Sequence, residues 1–425
     1  MKRNLKKWEK TLMGALAGIF LISGGFMGIE KFSPEERTLH IFDEASTVSG
    51  AAVSDEAEKT DAASSEKAEL EIDAKAAVLI DGNSGKVLFA QNEKEHLPAA
   101  SVTKVMTLLL IFEGCESGKI SLDDKVTISQ RAADMGGSQM YMEPGEQHTV
   151  EELLKGVIMA SANDGAVALA EHLSGSVESF VELMNSRADE LGLKDSNFVN
   201  TNGLPVANHY SCAYDIGMIS KELMKFDEAH KWFTAWQEDI EVGLPGKESK
   251  FTLTNTNKFI RSYSGAIGVK TGFTQDAGYC LSGAAERDST RLIGVVLGCE
   301  SSNIRFAEMA KLMDYGFANY ETVQFAEAGE KIKEVDISKG DDVKLYAVTD
   351  DSIGLTVKKG NKDNVKEKID VDDDIKLPVK KGQGIGTITI YEGKEKAAEY
   401  ELVSDRDVNK ADFMTTYIRM IKKLI

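Results

Sequence analysis

The chain has 425 residues, 42% of them hydrophobic and 28% charged, and a formal net charge of −19. That length allows two or three domains with at least one large core, while the acidic balance excludes a nucleic-acid or generally anionic partner, because phosphate binding needs a basic surface. Cys115, Cys212, Cys280 and Cys299 show no CxxC spacing and the six histidines no HExxH pair, so no metal, cofactor or disulfide framework is expected.

The first ten residues, MKRNLKKWEK, carry five basic side chains, and TLMGALAGIFLISGGFMGI (11–29) follows without a charge. This is the basic region and apolar region of an export signal. The apolar run is also about as long as a membrane span, roughly 20 residues, and EKFSPEER behind it offers no small-x-small cleavage site. Residues 1–30 are therefore read as a signal peptide or an N-terminal membrane anchor, with the remainder outside the cytoplasm. Residues 31–71 are rich in Ala, Ser, Glu and Asp. They hold too little apolar surface to offset their ordering entropy, and read as an acidic disordered linker.

A folded domain is expected over 72–320. AKAAVLIDGNSGKVLFAQN (74–92) holds two strand-like runs around a turn at Asp81–Gly85. Helical periodicity follows from about Leu97 to Gly192, then strand patterns at FTLTNTN (251–257) and YCLSGAAERDSTRLIGVVLGCE (279–300), then a helix over 303–320. Strands, helices, strands and a helix predict an α+β fold, with helices packed on an antiparallel sheet. Cys280 and Cys299, on strand-like runs, read as buried thiols. Residues 321–403 are short alternating runs broken by Gly, Asp and Asn, an all-β domain. Residues 404–425 end in a stripe of Phe413, Met414, Tyr417, Ile418, Met420, Ile421, Leu424 and Ile425, with Arg419, Lys422 and Lys423 elsewhere. Such a helix either lies on a membrane surface or packs back on the protein.

Three short strings carry candidate chemistry: Ser101-Val102-Thr103-Lys104, Ser161-Ala162-Asn163 and Lys270-Thr271-Gly272. Singly each is weak, since Ser64 and Lys67 repeat the first pattern and Ser301-Ser302-Asn303 repeats the second. Ser101 and Lys104 lie three apart at a helix start and so face one way. The apolar run VMTLLLIF behind them would desolvate the lysine and lower its pKa, making it a base for the serine. The bland alternative is a capping serine with a snorkelling lysine. Ser161 and Asn163 sit between two apolar helical stretches, as partners in a cleft or as a satisfied turn. Lys270, Thr271 and Gly272 open a strand that could dock a carboxylate-bearing peptide, and Arg305 downstream is either a second cation or a surface arginine.

Together these strings form the set shared by penicillin-binding proteins and class A β-lactamases. LPAASVTKVMT, GSQMYMEPGEQHTVEELLKGVIMASANDGAVALAEHL, FVNTNGLPVANHYSCAYDIG and GVKTGFTQDAGYCLSGAAERDSTRLIGVVLG resemble the D-alanyl-D-alanine carboxypeptidases, the low-molecular-mass penicillin-binding proteins. The resemblance spans about 74–320 and, more loosely, the β module and terminal helix. It implies a helical subdomain against a five-stranded antiparallel sheet, a β-lactamase/transpeptidase-like domain. It implies Ser101 as nucleophile, Lys104 as its base, and Ser161 and Asn163 as relay and amide-binding groups. Lys270 and Thr271 would bind the substrate carboxylate and tune the Ser161 side, with Arg305 assisting and Gly272 among the substrate-binding positions. The backbone N–H groups of Ser101 and Phe273 would form the oxyanion hole. Phe273 departs from the His or Tyr familiar there, but a backbone donor survives that change. The implied partners are peptidoglycan stem peptides, β-lactams and a membrane surface. A β-lactamase is the first rival; no ExxLN-like string lies between Asn163 and Lys270. A D,D-endopeptidase or transpeptidase and a non-catalytic wall-binding protein remain further alternatives.

Overall fold

A computed structural model of the chain describes residues 70–372 and 375–422. The candidate signal or anchor, almost all of the linker, and Leu424 and Ile425 of the terminal stripe lie outside the described residues. Five antiparallel strands form the main sheet, in the order Val87–Gln91, Ala76–Asp81, Thr290–Cys299, Gly278–Arg287, Ala266–Thr274. The first strand is paired in sequence with the second through the expected turn, where the Asp81 carboxylate accepts N–H bonds from Asn83 and Ser84.

The central strands are apolar in an unbroken run because both faces are covered. Ala76, Val78 and Ile80 point into a core shared with the helical region. Ala77 and Leu79 point the other way, against Met309, Leu312 and Met313 of the helix Ser302–Asn319. In the helical region, Lys104–Glu116 is buried on every side from Lys104 to Phe112, as expected of a helix without a polar face. A capping box between Thr149 and Glu152 starts the helix Val150–Lys155. A π turn, Gly156–Ala160, ends in Ser161 at φ 62°, and Asn163–Ser174 resumes as helix.

One strand differs from its expected extent. FTLTNTN is strand only as far as Thr254, where Ser249–Thr254 pairs with Gln237–Val242. Asn255 and Asn257 leave the ladder because their side chains are bonded elsewhere: Asn255 Nδ2 to the Phe233 and Ala235 carbonyls, and the two Oδ1 atoms to the Asn257 and Phe259 N–H groups just downstream.

After residue 320 the chain builds a second five-stranded antiparallel sheet, in the order Lys331–Asp336, Lys344–Val348, Glu395–Ser404, Gly384–Glu392, Val365–Val371. Residues 405–412 bridge back to it through Val379↔Val408 and Gly340↔Lys410. The helix Phe413–Lys422 follows, capped by the Asp412 carboxylate on the Thr415 N–H. Its apolar residues Phe413, Met414, Tyr417, Ile418, Met420 and Ile421 are exposed, Phe413 at 80%. Arg419 is turned inward, donating to the Gly340 and Asp341 carbonyls. No helix among the described residues is long and apolar enough to cross a membrane.

Candidate active site

The nucleophile candidate stands on a 3-10 turn, Ala100–Thr103, directly ahead of the helix that begins at Lys104. Ser101 makes no capping hydrogen bond, and Lys104 is fully buried, so neither a cap nor a snorkelling lysine describes the pair. The turn is tight: Ala100 adopts φ 47°, a conformation that costs a residue with a Cβ. Two glycines make room for it. A Cβ on Gly203 would fall 1.8 Å from the Ala100 carbonyl oxygen, and one on Gly272 within 3.0 Å of the Ser101 nitrogen. Gly272 thus lets the edge strand Ala266–Thr274 lie directly against the serine turn.

Lys104 Nζ has three neighbours: Asn163 Oδ1 at 2.6 Å, the Asn202 carbonyl oxygen at 2.9 Å and Ser101 Oγ at 2.9 Å. Asn163 Nδ2 donates to the Gly136 carbonyl at 2.6 Å, which fixes its Oδ1 toward the lysine. The first two neighbours only accept. In a neutral amine they take the two N–H bonds, leaving the lone pair on the serine hydroxyl. Burial holds the Lys104 pKa well below its ordinary value, and the neighbouring Lys270 charge pushes the same way. The buried Asp164 carboxylate opposes them. Asp164 also accepts the N–H groups of Met140 and Tyr141, pinning the loop beside Asn163.

Ser161, whose main chain is left-handed, is buried, and its hydroxyl has no partner among the described residues. A buried hydroxyl without a partner is costly in a fold alone. Lys270, on the edge strand, is also fully buried; burial first, and the Arg305 charge second, lower its pKa to about 7. Its ammonium donates to the Thr271 carbonyl at 3.1 Å. Arg305 is not a surface arginine. It donates to the Gly272 and Cys280 carbonyls at 3.2 and 3.3 Å, bracing the edge strand and its neighbour from behind, and its Nε has no partner among the described residues. Phe273 is half exposed and its ring lies 4.3 Å from that of Tyr279.

Two contributors had no signal in the spacing of the motifs. Asn202 acts through its backbone carbonyl, which any residue but one in a different loop conformation would present. His209 ties the same loop to the serine helix: its Nδ1 accepts the Val199 N–H, so its Nε2–H donates to Thr103 Oγ1 at 3.0 Å. Burial lowers the His209 pKa to about 4, keeping the ring neutral in this role. Among the described residues one group has metal-ligand chemistry, Asp195, Cys212 and Asp215. Its atoms serve as helix cap and turn, with Cys212 Sγ accepting the Asp215 N–H, and none of the candidate site residues belongs to it.

Fold and cleft define a class, the serine hydrolases with the penicillin-binding fold. Residues 60–301 match the family model described as D-alanyl-D-alanine carboxypeptidase, and residues 320–410 that of the penicillin-binding protein 5 C-terminal domain. The chain belongs to the D-alanyl-D-alanine carboxypeptidase family. It is 42% identical over 348 residues to D-alanyl-D-alanine carboxypeptidase DacF of Bacillus subtilis (strain 168), covering 82% of this chain and 89% of that one. It is 35% identical to D-alanyl-D-alanine carboxypeptidase DacC of Escherichia coli (strain K12), over 69% of this chain and 74% of that one. The solved structure of penicillin binding protein 5 from Haemophilus influenzae superposes with a TM-score of 0.62 at 34% identity, over 80% of this chain and 99% of the other.

Proposed function

We propose that this carboxypeptidase removes the terminal D-alanine from peptidoglycan stem pentapeptides through an acyl-enzyme on Ser101, and that penicillins acylate the same serine. The observation that carries the reading is the lysine environment: Lys104 is fully buried, with two obligate acceptors and one hydroxyl around its nitrogen. Ser101 Oγ attacks the penultimate carbonyl carbon as its proton passes to Lys104 Nζ. The oxyanion is held by the backbone N–H groups of Ser101 and Phe273. Collapse breaks the peptide bond, and the leaving D-alanine nitrogen takes a proton through Lys104 or Ser161. Water then attacks the ester, returning the proton to Ser101. Asn163 holds the substrate amide, Lys270 and Thr271 bind its terminal carboxylate, Gly272 admits the strand, and Arg305 adds positive charge behind it.

The chain is further read as working outside the cytoplasm at a membrane surface, supported by the basic-then-apolar sequence of residues 1–29 and the exposed apolar face of the helix Phe413–Lys422. The working domain division stays at 72–320, 321–403 and 404–425.

Incubation with a peptide ending in D-Ala–D-Ala, then with labelled penicillin and mass spectrometry, tests the reading. The expected result is free D-alanine and a label on Ser101; Ser101→Ala loses both, by about 10⁵-fold in turnover. No D-alanine and no label, or a fully active Ser101→Ala, would overturn it.

A further inference from the structure

Beside the edge strand the loop 255–258 is stapled from both sides. Asn255 Nδ2 donates to the Phe233 and Ala235 carbonyls at 3.2 and 2.9 Å, and its Oδ1 accepts the Asn257 N–H at 2.9 Å. Asn257 Oδ1 accepts the Phe259 N–H at 3.2 Å. Both asparagines are buried, whereas Thr256 between them is exposed. Its main-chain N–H donates to the Met159 carbonyl at 3.0 Å, two residues before Ser161. Its hydroxyl lies 2.8 Å from the hydroxyl of Thr271. One residue therefore joins the helical wall of the cleft to its strand wall. A neutral hydrogen bond at an exposed residue adds little to folding, so the contact is poorly accounted for by stability alone.

We propose that Thr256 is a positioning residue that aims the Thr271 hydroxyl at the terminal carboxylate of the substrate; the proposal rests on the reading of Thr271 as a carboxylate-binding group. Across a single contact between two hydroxyls only one can donate. A carboxylate only accepts, so when it arrives the Thr271 proton must turn to it. The Thr271 oxygen then accepts from Thr256, whose main chain is already fixed by Met159 and the two asparagines. The bound peptide also excludes water from the pair, which strengthens both bonds. Thr256 thereby favours the free acid over any substrate whose terminus is blocked.

The test compares an N-acylated tripeptide ending in D-Ala–D-Ala with the same peptide as its C-terminal amide, on the wild type, Thr256→Val and Thr256→Ser. Valine keeps the Met159 bond and removes only the hydroxyl. Thr256→Val is expected to raise KM for the free acid about five- to tenfold, the worth of one hydrogen bond, with a much smaller change in kcat. The preference for acid over amide falls by a similar factor, and Thr256→Ser recovers most of it. Thermal unfolding midpoints show that all three proteins are folded. Equal losses on acid and amide, a loss confined to kcat, or a Val variant equal to wild type overturns the proposal. A wild type that releases no D-alanine from the acid overturns the active-site reading itself, a result visible before any substitution is made.

Discussion

The chain contains two five-stranded antiparallel sheets that are used in different ways. The strand Ala76–Asp81 of the first is buried at every position, covered by the helical region on one face and by Ser302–Asn319 on the other. In the second sheet the edge strands KIKEVD and VKEKIDV are largely exposed and alternate charge with apolar residues. Lys and Glu along an open edge block pairing with another chain. The edge strand of the first sheet is instead buried from Gly268 to Gly272, with the serine turn packed beside it, and on the proposed reading it is there that Lys270 and Thr271 meet the substrate. Covering both faces keeps the neighbourhood of the buried Lys104 dry, which lowers its pKa, whereas the second sheet exposes charged edges to water.

The contrast can be broken at its centre or at its margins. Lys104→Met removes the proposed base and should lower penicillin acylation by about 10³-fold; stopped-flow acylation on protein verified as folded checks it, and a loss under tenfold would remove Lys104 from the base role. Leu281→Ala in the first sheet, at a position with no exposure, should cost about 3 kcal/mol in urea unfolding. The acid–base behaviour gives a milder test. With its pKa lowered to about 7, Lys270 loses its charge as pH rises through that value. KM for the free acid should therefore climb several-fold between pH 6 and pH 8. Acylation should fall toward acid pH as Lys104, whose pKa burial holds well below its ordinary value, takes up a proton. A KM independent of pH would argue against Lys270 as the carboxylate cation. The smallest effect belongs to the second sheet: Glu367→Ala, on its exposed edge, should change stability by no more than about 0.5 kcal/mol.

The same difference governs what the sequence disclosed. Continuous apolar runs such as AAVLID mark strands buried on both faces, whereas Ser101 with Lys104 stood out only in company with Ser161-Ala162-Asn163 and Lys270-Thr271-Gly272, since Ser64 and Lys67 share their spacing. The second sheet was legible only as alternation and turns. Within the site, the legible residues act through distinctive side chains. Asn202 acts through a carbonyl on a loop 98 residues from Lys104, and Thr256 through a hydroxyl whose partner lies 15 residues on. Neither leaves a pattern, because the contact is made by tertiary packing. The strand FTLTNTN overran for the same reason: Asn255 and Asn257 fit an alternating pattern, but the Asn255 amide is committed to the Phe233 and Ala235 carbonyls of a distant segment, and the Asn257 oxygen to the Phe259 N–H.

At Gly272 the distance between the edge strand and the serine turn is set by a missing atom. Most positions in a cleft can be altered by degrees, through larger or smaller side chains, so that a variant lineage can trade one property for another in small increments. Position 272 offers no such gradation, since the smallest available change, a single methyl, already drives into the backbone of Ala99, Ser101 and Val102. Any adjustment of the cleft by small steps therefore has to be made at other positions, and the strand–turn junction itself is closed to gradual adaptation.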